Sequence, residues 1–165
     1  MLVLTPKPLN KEAFVPYGEV VDTQSARKTF PMNYGLATRY CDLAEIDIAE
    51  KSGITCISLV ETKAITFPFE PKVMEYHPYG SQLFYPVCGS PFLILVAPQG
   101  KQLDASKVEL FISDGTQGVN YHKNVWHHYL MPLEDNSAFF VVDRKADDEN
   151  CVEVEIGLDI TIKLK

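Results

Sequence analysis

The chain has 165 residues, of which 46% are hydrophobic and 22% charged, and a formal net charge of −7. That length suits one domain with a proper core, and the composition excludes a disordered or fibrous chain. The lysines and arginines form no basic stripe and no apolar run approaches the ~20 residues needed to span a bilayer, so neither nucleic acid nor a membrane is expected as a partner.

The opening "MLVLTPKPLNKEAF" has no basic start followed by an apolar core, so no leader is read and a cytoplasmic location is expected. "LNKEAFVPYGEVV" 9–21 reads as one helical turn entering a strand, and "DLAEIDIAEK" 42–51 as a short helix or an irregular arm covering a sheet. From residue 54 onward, short runs rich in β-branched and aromatic residues follow one another. They are "ITCISLVE" 54–61, "VMEYH" 73–77, "QLFYPV" 82–87, "FLILVA" 92–97, "VELFI" 108–112, "GVNYH" 118–122, "VWHHYLM" 125–131, "AFFVVD" 138–143 and "CVEVEI" 151–156. "HPYG" 77–80, "CGSP" 88–91 and "APQG" 97–100 supply turns between them. The expected class is all-β with a few short helices. So many short strands favour a closed barrel or double sheet that protects its edges, within a single domain over 1–165.

Cys41, Cys56, Cys88 and Cys151 are widely spaced, with no C-x-x-C pair to indicate zinc or a redox couple. They are read as reduced thiols, Cys56 and Cys88 as small hydrophobes within apolar runs.

The chemistry-bearing residues sit on the strands and turns. Residues two apart share a face of a strand, so Glu75 and His77 project to one side of "VMEYH" while Met74 and Tyr76 take the other. Gln82 begins the next strand, and Gly89 closes it at a tight corner before Pro91. Taken alone, this hairpin is better explained by a solvated polar face. Further on, Lys123-Asn124 makes a hairpin turn in which Asn124 tolerates positive φ, with His122 before it and His127 on the returning strand.

The spacing Glu75-x-His77-x4-Gln82-x6-Gly89 resembles the first cupin motif, with Glu75 in place of its first histidine and Gln82 in place of its glutamate. "HKNVWH" 122–127 resembles the end of the second motif, with His122, Asn124 and His127 at its proline, glycine and histidine. Beyond these, "EYHPYGSQLFYPV" 75–87, "GVNYHKNVWHHYL" 118–130, "GLATRYCDLA" 35–44 and "VVDR" 141–144 together resemble the ureidoglycolate lyase family over nearly the whole chain. Two departures are Tyr129-Leu130, where the family usually follows the double histidine with proline, and a divergent loop at 97–106.

The resemblance implies a cupin double-stranded β-helix, a homodimer, and a C–N lyase of allantoin breakdown that releases urea from ureidoglycolate and leaves glyoxylate. Nickel or another divalent ion is the implied cofactor, and Glu75, His77, Gln82 and His127 are the ligands by motif register. Cleavage is an elimination, in which a base removes the hydroxyl proton and an acid protonates the departing nitrogen. Glu75, His77, His122 and His127 are the candidates for those roles. Arg39 and Arg144 are candidate clamps for the substrate carboxylate, each equally readable as a surface ion-pair partner, and Asn120 and Tyr121 are candidate contacts to the ureido group. His128 is expected to face away from His127 as a supporting group, and Trp126 to be core or pocket wall. Competing readings are a metal-dependent cupin oxygenase or isomerase, which the replacements at 75 and 82 disfavour, and a non-enzymatic cupin that binds a small acid.

Overall fold

Residues 2–164 are described in a computed structural model of the chain. In chain order the elements are β1 Leu2–Leu4, β2 Lys7–Pro8, α1 Lys11–Phe14, β3 Gly18–Val21, β4 Lys28–Met32, β5 Ala37–Cys41, β6 Ile54–Thr62, β7 Val73–Tyr76 and β8 Gln82–Pro86. They continue with β9 Phe92–Ala97, β10 Glu109–Ser113, β11 Gly118–Tyr121, β12 Trp126–His127, β13 Met131–Pro132, β14 Ser137–Lys145, β15 Val152–Glu155 and β16 Ile160–Ile162. The protein is all-β and cupin-like, as expected. No helix is long and apolar enough to cross a membrane.

Two sheets face one another. One has the order β15-β7-β12-β9-β10-β2, with β13 also on β9, and the other β3-β11-β8-β14-β6. Alternation along each strand builds the cores. Phe92, Ile94 and Val96 of β9 face inward and meet Val119, Tyr121, Phe139 and Val141 of the opposite sheet, with Phe14 of α1 closing one side. Leu93, Leu95 and Ala97 face outward and form a second core with Met74, Trp126 and the β1–β16 pair. β9 is therefore buried on both faces, which is why "FLILVA" is uninterrupted by polar residues. The helical turn before β3 is capped by Asn10, whose side chain accepts from the Ala13 amide at 2.9 Å.

One sequence expectation needs correction, and one open alternative is decided. "VWHHYLM" is not one strand. β12 pairs with β9 through Trp126↔Ala97 and His127↔Val96, whereas β13 pairs with it through Met131↔Leu93 and Pro132↔Phe92, so the register slips by one residue between them. The extra residue is a bulge. It keeps His127 inward, and beyond it Leu130 packs on the inner core while Met131 joins the outer one. The 42–51 segment is the irregular arm and not a helix, apart from a single 3-10 turn at Glu50–Ser52. Its polar residues grip the barrel instead of following a helical period. The Asp47 amide donates to Ser81 Oγ at 3.0 Å, and the Ser81 amide to the Asp47 carbonyl at 2.8 Å.

Candidate active site

Cross-strand pairing assembles the inner cluster. Glu75 of β7 lies directly opposite His127 of β12, and His77 follows Glu75 by two residues on the same face. Glu75 Oε1 is 3.4 Å from His127 Nε2 and 3.9 Å from His77 Nε2. The three groups are largely withdrawn from water, with side-chain exposures of 16%, 13% and 2% for Glu75, His77 and His127. Asn124 takes φ 64 in the turn that feeds β12, and its amide donates to the His77 carbonyl at 3.1 Å, tying the two halves of the site together. Gly89 likewise takes a left-handed φ of 71 at the corner that ends the β8 hairpin.

Each imidazole has its tautomer set from behind. His127 Nδ1 lies 3.0 Å from the Val125 carbonyl and His77 Nδ1 lies 2.6 Å from the Asn150 carbonyl. A carbonyl only accepts, so both Nδ1 atoms carry a proton; in the neutral rings both Nε2 lone pairs face Glu75, an arrangement that becomes attractive when a proton or a cation lies between them. His127 Nε2 is buried without a hydrogen-bond partner. Gln82 Oε1 stands 3.1 Å from His77 Nε2, so two acceptors face each other. That contact becomes favourable when the amide turns its –NH2 toward the ring or a cation lies between the two.

Charge follows from this packing. Burial, stronger than the attraction of Glu75, holds the His127 imidazole below its ordinary pKa, so the ring is neutral at pH 7. Burial works to raise the Glu75 carboxyl, but His127 and His77 outweigh it, and Glu75 stays ionised. Tyr121 stacks flat on His127 at 4.2 Å, and burial with the nearby Glu75 charge raises its phenol far above the usual range. Glu75 Oε2 is 3.5 Å from the Cys151 thiol, which burial and Glu75 push up to about 11.

The three ligand atoms of Glu75, His77 and His127 lie within 4.8 Å of one another. One carboxylate, two Nε2 lone pairs fixed by carbonyls behind them and one orphaned buried nitrogen fit a divalent ion. A cleft of about 220 Å³ opens beside this cluster, lined by His77, Ser81, Gln82, Asp143, Arg144, Asn150 and Cys151.

Several residues singled out in the sequence lie elsewhere. Asn120 and His122 sit on the outward face of β11, opposite in direction to Tyr121. Asn120 donates to Glu19 Oε2 at 2.9 Å, and His122 Nε2 lies 3.1 Å from the same oxygen. The alternation that sends Tyr121 to the cluster removes both neighbours from it, so neither can act there. Arg144 is no free clamp: its guanidinium chelates Asp148 at 2.6 and 3.0 Å and donates to the Glu50 carbonyl at 3.0 and 2.9 Å. It pins the arm's end to the rim of the cleft, and a Cβ added at Gly53 would come 2.4 Å from its Nε. Arg39 is exposed on the β4–β5 hairpin. His128 turns outward against Phe69 at 5.7 Å, as alternation predicted, and Trp126 belongs to the outer core. Cys88 is exposed on a turn and is not a buried hydrophobe.

Sequence reasoning missed Asp143, Cys151, Glu19 and the Asn150 carbonyl. Asp143 was legible in principle, since it shares a face with the inward Val141 two residues earlier. The others depend on long-range strand pairing or on backbone atoms that leave no side-chain signature.

The family model described as ureidoglycolate lyase matches residues 1–163. The chain is 46% identical over 153 residues to the ureidoglycolate lyase of Burkholderia mallei, covering 93% of this chain and 89% of that protein. It is 41% identical over 153 residues to that of Pseudomonas syringae pv. tomato, with the same coverages of 93% and 89%. The similarity to the ureidoglycolate lyase of Azotobacter vinelandii is 40% over 159 residues, covering 96% of this chain and 95% of that protein.

Proposed function

The chain belongs to the ureidoglycolate lyase family, and we propose that it eliminates urea from ureidoglycolate, leaving glyoxylate, at the Glu75–His77–His127 cluster of one catalytic domain spanning the chain. The observation that carries the placement is the orphaned, buried Nε2 of His127 facing an ionised carboxylate beside an open cleft.

In the substrate one carbon bears a hydroxyl, a ureido nitrogen and a carboxylate. The carboxylate of Glu75 divides its two oxygens, Oε1 toward the histidines and Oε2 toward Cys151. Oε2 accepts the hydroxyl proton as the C–O bond gains double-bond character and the C–N bond breaks, with its electron pair leaving on the urea nitrogen. The same proton is handed to that nitrogen, so Glu75 ends as it began and urea leaves neutral. His77 and His127, whose Nδ1 protons are committed to carbonyls, hold their Nε2 atoms on the centre shared with Glu75 and are not the proton donors. A divalent ion held by Glu75, His77 and His127, with Gln82 beside His77, would supply positive charge to the developing oxyanion and the substrate carboxylate. Nickel is the ion that we propose.

Purified protein given ureidoglycolate should release glyoxylate and urea in equal amounts, and chelation should lower the rate until a divalent ion is restored. Release that is equal in wild type and Glu75→Gln would exclude this site. We further propose that the protein works as a homodimer, supported by the exposed apolar residues Ile57 and Leu59 on β6, an edge strand of its sheet.

A further inference from the structure

The β4–β5 hairpin is a two-stranded sheet of its own, joined to neither barrel sheet. Lys28, Thr29, Phe30 and Pro31 of one strand and Thr38, Arg39 and Tyr40 of the other are exposed, so both faces of the ribbon meet solvent. Its tip carries Tyr34 and Leu36, exposed at 108% and 89%. A lone two-stranded hairpin is marginal in water, and one tipped with bare aromatic and aliphatic side chains is built to be covered. Phe30 pairs with Arg39 across the ribbon, so the guanidinium shares a face with Phe30 and Met32.

The ribbon's root and the cluster of its own barrel lie at opposite ends of β11. The root follows directly on Asp22–Ser25, beside the Gly118 end of β11, whereas the cluster is at the Tyr121 end. The arm after the ribbon must run back along the barrel, past Asn120 and Ser81, to reach the rim at Arg144. The cleft, meanwhile, is short of positive charge. Asp143 lines it and Glu75 lies against its Cys151, facing a substrate that is itself an anion, and its one arginine is already saturated by Asp148 and backbone carbonyls. Arg39 makes no ion pair among the described residues. A surface suited to the ribbon begins at the rim: Ile57, Leu59 and Phe140, each at least 40% exposed, form one outward row on β6 and β14. The upper end of that row adjoins Cys56↔Asp143, and Asp143 lines the cleft.

We propose that the ribbon of one copy packs its Phe30 face on the β6–β14 row of a second copy and delivers Arg39 to that copy's cleft, where the guanidinium binds the substrate carboxylate. This rests on the reading of the cleft as the catalytic site. In a two-fold pair each protomer gives both a ribbon and a row, so the contact is made twice. A bidentate guanidinium fixes the carboxylate by two parallel hydrogen bonds, a geometry that no protein side chain of the cleft supplies.

The test is complementation. Arg39→Ala and His127→Ala homodimers should each lose activity, the former about 10²-fold through KM as well as kcat. Co-expressed with different tags and purified through both, the mixed dimer contains one site with both lesions and one with neither, and should regain about half the wild-type rate. A mixed dimer as inactive as its parents overturns the proposal, because Arg39 would then act within its own subunit. So does a wild-type protein that is monomeric at assay concentration. A folded His127→Ala protein with full activity would count against the site and not against the docking. The docking would then be read by mass: Phe30→Asp should shift dimers to monomers, and dimers that survive it overturn the proposal.

Discussion

His127→Ala tests the site most directly, because the ring is both the least exposed member of the cluster and the one with an unpartnered nitrogen. Removing it forfeits the flat stack on Tyr121, worth about 0.5–1.5 kcal/mol. It also leaves a void of about 60 Å³, which at ~24 cal/mol per Å³ costs about 1.4 kcal/mol. Water entering a void beside Glu75 hydrates the carboxylate and returns part of that loss, so a net destabilisation of about 2 kcal/mol is expected, or roughly 4–8 °C in Tm for a chain of this size. Glyoxylate release should fall by about 10²–10³-fold, the scale of losing a preorganised charge-stabilising group, and the variant should retain less divalent metal after dialysis. His128→Ala is the matched control. That ring packs outward on Phe69, so its loss should leave the rate within about tenfold of wild type. Calorimetry, a coupled glyoxylate assay and metal analysis on the three proteins settle it. A folded, active His127→Ala beside a folded, inactive His128→Ala would refute the facing assigned to β12.

Arg144→Ala should lower Tm, since the arm loses its anchor on Glu50 and Asp148, while KM for ureidoglycolate stays within about threefold of wild type. A large rise in KM at unchanged Tm would restore the clamp reading. Asn124→Val places a β-branched residue at φ 64 and should cost about 1–2 kcal/mol, whereas Asn124→Gly should be tolerated; urea denaturation of both variants reads the difference.

The strands of the barrel were legible because their cores leave a clear imprint. "FLILVA" 92–97 forms a strand with those same bounds, since a strand buried on both faces has no polar alternation to blur its ends. That Glu75 and His77 share a face, and that His128 turns away from His127, followed from alternation, whereas the pocket role of that shared face came from the cupin resemblance. What failed did so where one strand must know its neighbour. The bulge after His127 is visible only against β9, and the outward turn of Asn120 and His122 only once Val119 and Tyr121 are known to fill the barrel. The β4–β5 ribbon was unread because "KTFPM" and "ATRYC" have no buried face, and periodicity reports burial.

The displaced pair Glu19–His122 carries a prediction of its own. The Glu19 contact, opposed by partial burial, raises the His122 imidazole above its ordinary 6.5. The contribution of His122 to folding is therefore complete below about 6.5 and is lost as pH rises through the raised folded value. For Glu19, partial burial works to raise the carboxyl, but His122 and Asn120 outweigh it and the net shift is downward from 4.5. Its contribution is present above 4.5 and is lost as pH falls through the lowered folded value. The two windows overlap between 4.5 and 6.5, so the ion pair stabilises most near pH 5.5. With His122 41% exposed, solvent screening holds the gain to about 0.5 kcal/mol, or roughly 1–2 °C in Tm. His122→Gln should accordingly melt below wild type at pH 5.5 and together with it at pH 9, while glyoxylate release at neutral pH stays near the parent rate because the ring faces away from Glu75. A Tm gap that widens toward pH 9, or a rate that collapses, would show that His122 works with the inner cluster after all.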